Sequence, residues 1–220
     1  MKTAVIICNG DFPRKEYPRY LLKTADLIVC CDGALQTFLR HSAGIFGELR
    51  SPDAVIGDMD SLSPALKEKY SHIIIHDPDQ ETNDQTKAFN YIISNFKDIS
   101  SIHIIGATGK RVEHTVGNIS LLMEYARTYD LEALGTSVDM VYDYGTVCAV
   151  TDTAEIHCGK GRKVSIFSPD NTLRIHSEGL EWQTDGVIFD NWWKATLNIA
   201  SEDVVKLTFS HRSIALIAMD

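Results

Sequence analysis

The sequence predicts an α/β protein in two parts: an open parallel sheet with flanking helices over residues 1–135, then an antiparallel β-sandwich over 136–220. Three observations predict it. Up to about residue 135, short apolar runs ending in Gly, Asp or Asn alternate with longer polar-apolar segments. The apolar runs are nearly continuous and rich in β-branched residues, as strands buried on both faces are. Beyond residue 135 the runs become short and alternating, with Gly, Asp, Asn and Pro between them and no helix-length amphipathic pattern.

Five strand candidates come first: AVIICNGD, DLIVCCDGA (Asp26 to Ala34), DAVIGDMDS, HIIIHDPDQ (His72 to Gln80) and SIHIIGATG (Ser101 to Gly109). In DQTKAFNYIISNFK, Ala88, Ile92, Ile93 and Phe96 recur at helical spacing. Thr82 or Asn83 caps the start, and Asp84 suits the positive end of the helix dipole. In RVEHTVGNISLLMEYAR, Val112, Val116, Ile119 and Met123 form an apolar stripe, while Arg111, Thr115 and Asn118 share another face with His114 beside them. VDMVYDYGT reads as a connecting strand or linker. After it, segments including RKVSIFSP, TLRIHSEGLEW, GVIFDNWW and VVKLTFS read as roughly six to eight antiparallel strands.

Composition narrows the function. The chain has 220 residues, 44% apolar and 23% charged, ordinary for a globular protein with a sizeable core. A formal net charge of −9 argues against general affinity for nucleic acid or an anionic membrane. The apolar start, Ala4 to Cys8, is shorter than a signal-peptide core, and no segment has the length of a membrane span, so a cytoplasmic protein is expected. The five cysteines form no CxxC, and the His and Cys residues fall at no zinc-ligand spacing; buried, reduced thiols are expected.

The strand ends carry the chemistry. Parallel α/β sheets bind ligands outside the carboxyl ends of their strands, and here those ends hold Asp11, Asp32, Asp58 with Asp60, and Asp77 with Asp79. Any one of these is explained by the preference of Asp for turns. Taken together, GDMDS and DPDQETND read as a platform for Mg²⁺, a hard cation shared between a few carboxylates and substrate phosphates. GATGKR is not a P-loop, since two residues rather than four separate Gly106 from Gly109 and Arg111 stands where Ser or Thr belongs. It is either an anion-binding turn feeding a helix, with Arg111 as a bidentate grip, or an ordinary turn with a solvated Lys-Arg pair. His114, Lys87 and Asp84 are each equally readable as helix-surface residues. Trp182, Trp192 and Trp193 are either sandwich core or a surface for stacking a flat cationic ring.

GDMDS, DPDQETNDQTKAF, GATGKRVEHTVGNISLL, GLEW and TLN, in this order and spacing, resemble the thiamine pyrophosphokinase family over nearly the whole chain. The resemblance implies transfer of the terminal diphosphate of ATP to the hydroxyethyl group of thiamine, giving thiamine diphosphate and AMP. It implies Mg²⁺, an N-terminal α/β domain, a C-terminal β-sandwich, and a homodimer with the active site between subunits. By position, Asp58, Asp60 and Asp79 match the acidic metal- and phosphate-handling residues. Gln80, Asp84 and Lys87 match the stretch that follows them, and Thr108 and Arg111 match the polyphosphate-facing turn. Asp32 and His114 join the expected ATP-binding set, and Asp84 or Asp60 is the expected proton acceptor. Trp182 matches the tryptophan that packs on thiamine, and Asn198 the asparagine of a Ser-Asn pair beside it.

The sequence departs from that pattern at named places. The family commonly shows Gly-Gly-Arg-x-Asp-His, where this chain has Gly109-Lys110-Arg111-Val112-Glu113-His114. The serine before the asparagine is replaced by Leu197, Gln183 and Thr184 follow GLEW, and Trp192-Trp193 has no counterpart in the pattern. Alternatives are a pyrophosphokinase with another acceptor, such as a hydroxymethylpterin, and a non-catalytic thiamine-binding protein. The intact aspartates speak against the latter, because binding alone needs fewer of them. A metal-dependent phosphohydrolase is the weakest alternative.

Overall fold

A computed structural model describes residues 2–220. The chain divides into two compact units, one running to Leu121 and taking up Leu131–Asp143, the other made of Leu122–Asp130 and Tyr144–Asp220.

The first unit contains all five predicted strands: β1 (Lys2–Ile7), β2 (Leu27–Cys31), β3 (Ala54–Gly57), β4 (Ile74–His76) and β5 (Ile99–Ile105). The run read as a connecting strand or linker is β6 (Ser137–Tyr142), paired in parallel with β5. All neighbours are parallel, in the order β6-β5-β1-β2-β3-β4. Ala4 to Ile7 are fully buried and every residue of β2 is buried, as expected for strands covered on both faces. Helices α1 (Glu16–Thr24) and α2 (Ala34–Phe46) set Leu21, Leu22, Leu35 and Phe38 against Val5, Ile7, Ile28, Cys30 and Val55. Between β3 and β4 lies the short α3 (Pro64–Lys69), started by Ser63, whose hydroxyl accepts the Leu66 N–H, and by Pro64 at the first position. Helix α4 (Asp84–Asn95) packs on β1, β2 and β3 through Ala88, Phe89 and Ile92. Its cap is Asn83, whose side-chain oxygen accepts the Thr86 N–H at 2.9 Å.

Helix α5 (Val112–Thr128) departs from its expected face. Val112 and Val116 are 75% and 51% exposed, whereas Leu122, Met123 and Tyr125 are buried. The heptad-like stripe is real in the sequence, but the burial lies toward the other end of the helix.

The second unit is antiparallel. Its strands are β7 (Gly145–Val150), β8 (Ala154–His157), β9 (Lys163–Phe167), β10 (Ile175–Glu178), β11 (Asn198–Ile199), β12 (Val204–Phe209) and β13 (Ala215–Met219). They fall into two sets, β11-β9-β13-β7 and β10-β12-β8, with Val164, Ile166, Ile175, Val205, Leu207 and Ile217 in the core of the unit. GVIFDNWW is not a strand. It runs as turns between β10 and β11, with Trp192 and Trp193 45% and 68% exposed, so neither is core. Cys8, Cys30 and Cys31 are buried thiols, and Cys148 and Cys158 are partly buried thiols. No helix among the described residues is long and apolar enough to cross a membrane.

Gly57 closes β3 with φ of 151°, and a Cβ there would lie 2.8 Å from Asp84 Oδ1 and 3.0 Å from Asp32 Cβ. Gly57→Ala is expected to destabilise the protein by about 1–3 kcal/mol through backbone strain and displacement of those carboxylates, measured as a lower urea midpoint at unchanged slope.

Candidate active site

Strand order places the cavity. The chain winds outward from β1 to β4, then returns to lay β5 on the opposite side of β1. Loops leaving β1 and β5 therefore part in opposite directions and leave a crevice at the carboxyl ends of the strands. That end of the first unit holds a cavity of about 770 Å³, within the range of about 300–1,000 Å³ usual for small-molecule sites. Asn9 and Gly10 contribute from the end of β1, Cys31, Asp32 and Gly33 from β2, and Asp58 and Ser61 from β3. The loop after β4 supplies Asp79 to Asn83, and α4 begins at the cavity with Asp84, Gln85 and Lys87. Ala107, Gly109, Lys110 and Arg111 follow β5, and His114 and Asn118 reach in from α5.

The floor between β1 and β5 is main chain. Gly10 N–H donates to Gly106 O at 2.6 Å and Asp11 N–H to Thr108 O at 2.8 Å. Lys110, in the left-handed region at φ 53°, returns its ammonium to Asn9 O at 2.7 Å. Asp32 and Met59 are also left-handed, at φ 37° and 66°, so three of the four non-glycine residues with positive φ among the described residues belong to these strand-end loops.

Each acidic residue has a distinct environment. Asp58 accepts the Asp60 N–H at 3.1 Å and the Gln80 amide at 3.3 Å, which hold its carboxyl below the usual range. Asp79 accepts the Thr82 hydroxyl at 2.6 Å and the N–H groups of Glu81 and Thr82, and is likewise lowered. Asp84 goes the other way: burial, opposed by Lys87 and reinforced by the charges of Asp32, Asp58 and Asp77, pushes it up to about 6. Lys87 is only 5% exposed; its ammonium lies 3.8 Å from Asp84 Oδ1 and donates to Asp77 O at 2.9 Å. Asp32 is 4% exposed. One of its oxygens accepts the Ser61 N–H at 3.0 Å, and the other is buried with no hydrogen-bond partner among the described residues.

Of the sequence-derived residues, Asp32, Asp58, Asp79, Gln80, Asp84, Lys87, Arg111 and His114 line this one cavity. Asp60 does not: it is exposed in the turn closed by Asp58, and its N–H rather than its carboxylate serves that turn. Thr108 also stays out of the lining and contributes its carbonyl to Asp11. Arg111 is exposed and donates from Nε to Glu113 at 2.6 Å, the residue that departs from the family pattern. Trp182 and Asn198 belong to the second unit. Trp182 is 55% exposed. The Asn198 side chain accepts the Trp182 N–H at 3.1 Å and the Ile199 N–H at 2.8 Å, and donates to Trp182 O at 2.6 Å.

Asn9, Ser61, Gln85 and Asn118 also line the cavity and lie outside the sequence-derived set. Asn118 gathers the wall: its amide donates to Ala107 O at 2.9 Å, while Asn83 donates to its side-chain oxygen and Gln85 to its carbonyl. The shared helix face of Arg111 and Asn118 was the available signal.

An all-oxygen donor set with one unpartnered buried carboxylate oxygen suits Mg²⁺. Among the described residues no three acidic, thiol or imidazole groups already converge on one point. Mg²⁺ does not need that, because it keeps several waters and takes one or two carboxylates together with substrate phosphates.

A parallel sheet with a reversed strand order, carboxylates on the rim and a basic glycine turn facing them defines a phosphate-handling α/β protein, here joined to an antiparallel β unit. The chain belongs to the thiamin pyrophosphokinase family: the family's catalytic domain matches residues 18–133 and its substrate-binding domain residues 145–215. It is 26% identical to thiamine pyrophosphokinase 1 of Oryza sativa subsp. japonica over 230 residues, covering 93% of this chain and 83% of that protein. Its fold is similar to thiamine pyrophosphokinase from Bacillus subtilis (TM-score 0.76, 17% identity, 100% and 99% of the two chains). It is similar also to the enzyme from Candida albicans (TM-score 0.75, 18% identity, 99% and 88%). The family's reaction is pyrophosphoryl transfer from ATP to thiamine, which forms thiamine diphosphate.

The raised Asp84 carboxyl sets a pH dependence for the ligand-free protein. Between pH about 4 and 6 the folded chain keeps a proton that the unfolded chain has lost, so stability falls as pH rises through that window and is flat above it. Asp84→Asn is therefore expected to raise Tm at pH 7.5 by about 2–4 °C, an effect of about 1 kcal/mol once solvent screening of this partly exposed group is allowed for. The difference should vanish at pH 3.5; calorimetry at the two pH values checks it.

Proposed function

We propose that the strand-end cavity of the first unit is where ATP is held and diphosphate transferred, and that the second unit supplies the surface for thiamine. The gathering of eight of the expected residues on one cavity carries this reading. Asp58 and Asp79, with the unpartnered oxygen of Asp32, would hold Mg²⁺. When bound, that ion supplies charge neutralisation along the polyphosphate.

The chain's own groups do the rest. Backbone N–H groups of the Gly109-Lys110 turn and the start of α5 face the phosphates, and Arg111 turns from its solvent-screened contact with Glu113 to grip them. The thiamine hydroxyl attacks the β-phosphorus and the bond to the α-phosphate oxygen breaks, so AMP leaves. Asp84 takes the hydroxyl proton: it lines the cavity and sits close enough to neutrality to accept it. Lys87 and the Asn83 cap fix the turn of helix that carries it. Asp60 is assigned the support of the Asp58 turn rather than a metal contact.

Trp182 offers an exposed indole for the flat, cationic rings of thiamine. Asn198 acts on thiamine through Trp182, by holding the backbone N–H and C=O of that residue. The working form is proposed to be a cytoplasmic homodimer with the active site between subunits.

Three measurements test the reading. AMP is expected to form from ATP only when thiamine and Mg²⁺ are both present, and EDTA should stop it. Asp58→Asn should lose about 10²-fold or more in turnover with its circular dichroism unchanged; normal turnover in the folded variant overturns the metal assignment. Mixing Asp58→Asn chains with Trp182→Ala chains should restore about a quarter of wild-type activity if each site draws on two chains, and nothing if it draws on one.

A further inference from the structure

We infer that the second unit carries an oxyanion site of its own, a cavity in which Arg127 and Arg212 bind a phosphate- or diphosphate-bearing small molecule. The cavity, about 480 Å³, is lined by Ala126 and Arg127 from α5, Thr151 after β7, Pro169 and Asp170 after β9, and Arg212 to Ile214 before β13. All of these residues belong to that unit.

Charge carries the argument. Arg127 and Arg212 are exposed, and their guanidinium groups make no hydrogen bond or ion pair with any described residue. Two unpaired guanidiniums on one cavity repel each other, and a shared dianion turns that repulsion into attraction. The single carboxylate in the lining, Asp170, offsets only one of these two charges and is itself engaged by other donors. Asp170 Oδ1 accepts the N–H of Thr172 at 2.9 Å and its hydroxyl at 2.6 Å; Oδ2 accepts the Ser213 hydroxyl at 2.7 Å and lies 3.0 Å from His211 Nε2. Those donors hold Asp170 well below the usual carboxylate range and fix the loops before β10 and β13 against each other. The Arg212 backbone is thereby set between two anchored neighbours, His211 and Ser213.

Guanidinium forks match the planar oxygen pairs of phosphates, which selects an oxyanion over chloride. The volume exceeds what inorganic phosphate fills, and Ala126 and Pro169 provide an apolar wall for a carbon portion. The site is separate from the proposed thiamine surface of the same unit. Asn198 pairs with Val164 at the start of β9, whereas Pro169 and Asp170 follow its end, about 16 Å of strand away.

The test reads the two arginines directly. With ¹⁵N-arginine protein, the Nε–H signals of Arg127 and Arg212, assigned through Arg127→Gln and Arg212→Gln, are followed as inorganic pyrophosphate or ADP is added, with sodium chloride at matched ionic strength as reference. Expected are saturable shifts of both signals with a diphosphate and none with chloride, and at least tenfold weaker binding at the remaining arginine in either variant. A tighter response to ADP identifies an organic diphosphate as the natural class, and a tighter response to pyrophosphate an inorganic one. Signals that stay put, or move equally with chloride, overturn the proposal. Because the readout sits on these arginines, ligand entering the catalytic cavity does not obscure it, and loss of ATP binding there leaves this result unaffected.

Discussion

The return of the chain from β4 to the far side of β1 is the constraint on which the rest of the first unit depends. Once β5 lies beside β1, the loops at their ends diverge, and main chain closes the base of the gap: Gly10 N–H to Gly106 O and Asp11 N–H to Thr108 O. That approach leaves no room for a side chain. A Cβ on Gly10 would run into the carbonyls of Gly106 and Thr108. The same parallel winding puts the end of every strand on one rim, so residues far apart in sequence, from Asn9 to Asn118, come to line one cavity.

Bringing those ends together concentrates negative charge, and the unit answers in two ways. Asp58 and Asp79 sit toward solvent, and hydrogen bonds from their own turns stabilise the ionised form. Asp32 and Asp84 lie deeper. Lys87 is the cation set among them, its buried ammonium donating to the Asp77 carbonyl and lying 3.8 Å from Asp84. It does not balance the cluster: Asp84 remains elevated and one Asp32 oxygen remains without a partner. A cavity left with uncompensated carboxylates and lined opposite by Lys110 and Arg111 is arranged for a ligand that brings cations and phosphates together.

The sequence made the first unit legible because its signals are local. Near-continuous β-branched runs located five of the unit's six strands, and the Asn83 cap with Asp84 behind it located α4. The acidic strand ends followed from topology and Thr108 from the family resemblance, neither of which carries side-chain direction; Asp60 and Thr108 are not among the residues that line the cavity. Burial was less legible than periodicity. The stripe on α5 has the right spacing, but its spacing does not say which end of a long helix is covered, and Val112 and Val116 are exposed. GVIFDNWW has strand-like composition, yet Asp190 and Asn191 interrupt it; Lys194 pairs with Asp190 and the Asn191 side chain accepts the Trp193 N–H, which favours turns.

The second unit shows how a departure from a family pattern can be absorbed. Leu197 stands where a serine is usual, and its backbone is left-handed at φ 57°, a conformation costly for Leu. The turn is held nonetheless from both sides. Ser165 on β9 accepts the Leu197 N–H at 2.9 Å, and the next residue, Asn198, spends its side chain on the peptide of Trp182 and its own following N–H. With those bonds made and only 7% of its surface exposed, Asn198 has its amide turned inward, while the indole it supports is open. The strain at Leu197 and the clasp at Asn198 are thus one device: the left-handed turn directs the Leu197 side chain outward, 65% exposed, and the asparagine inward. The Asn198 side chain is thus spent on holding the backbone of Trp182, whose indole stays exposed.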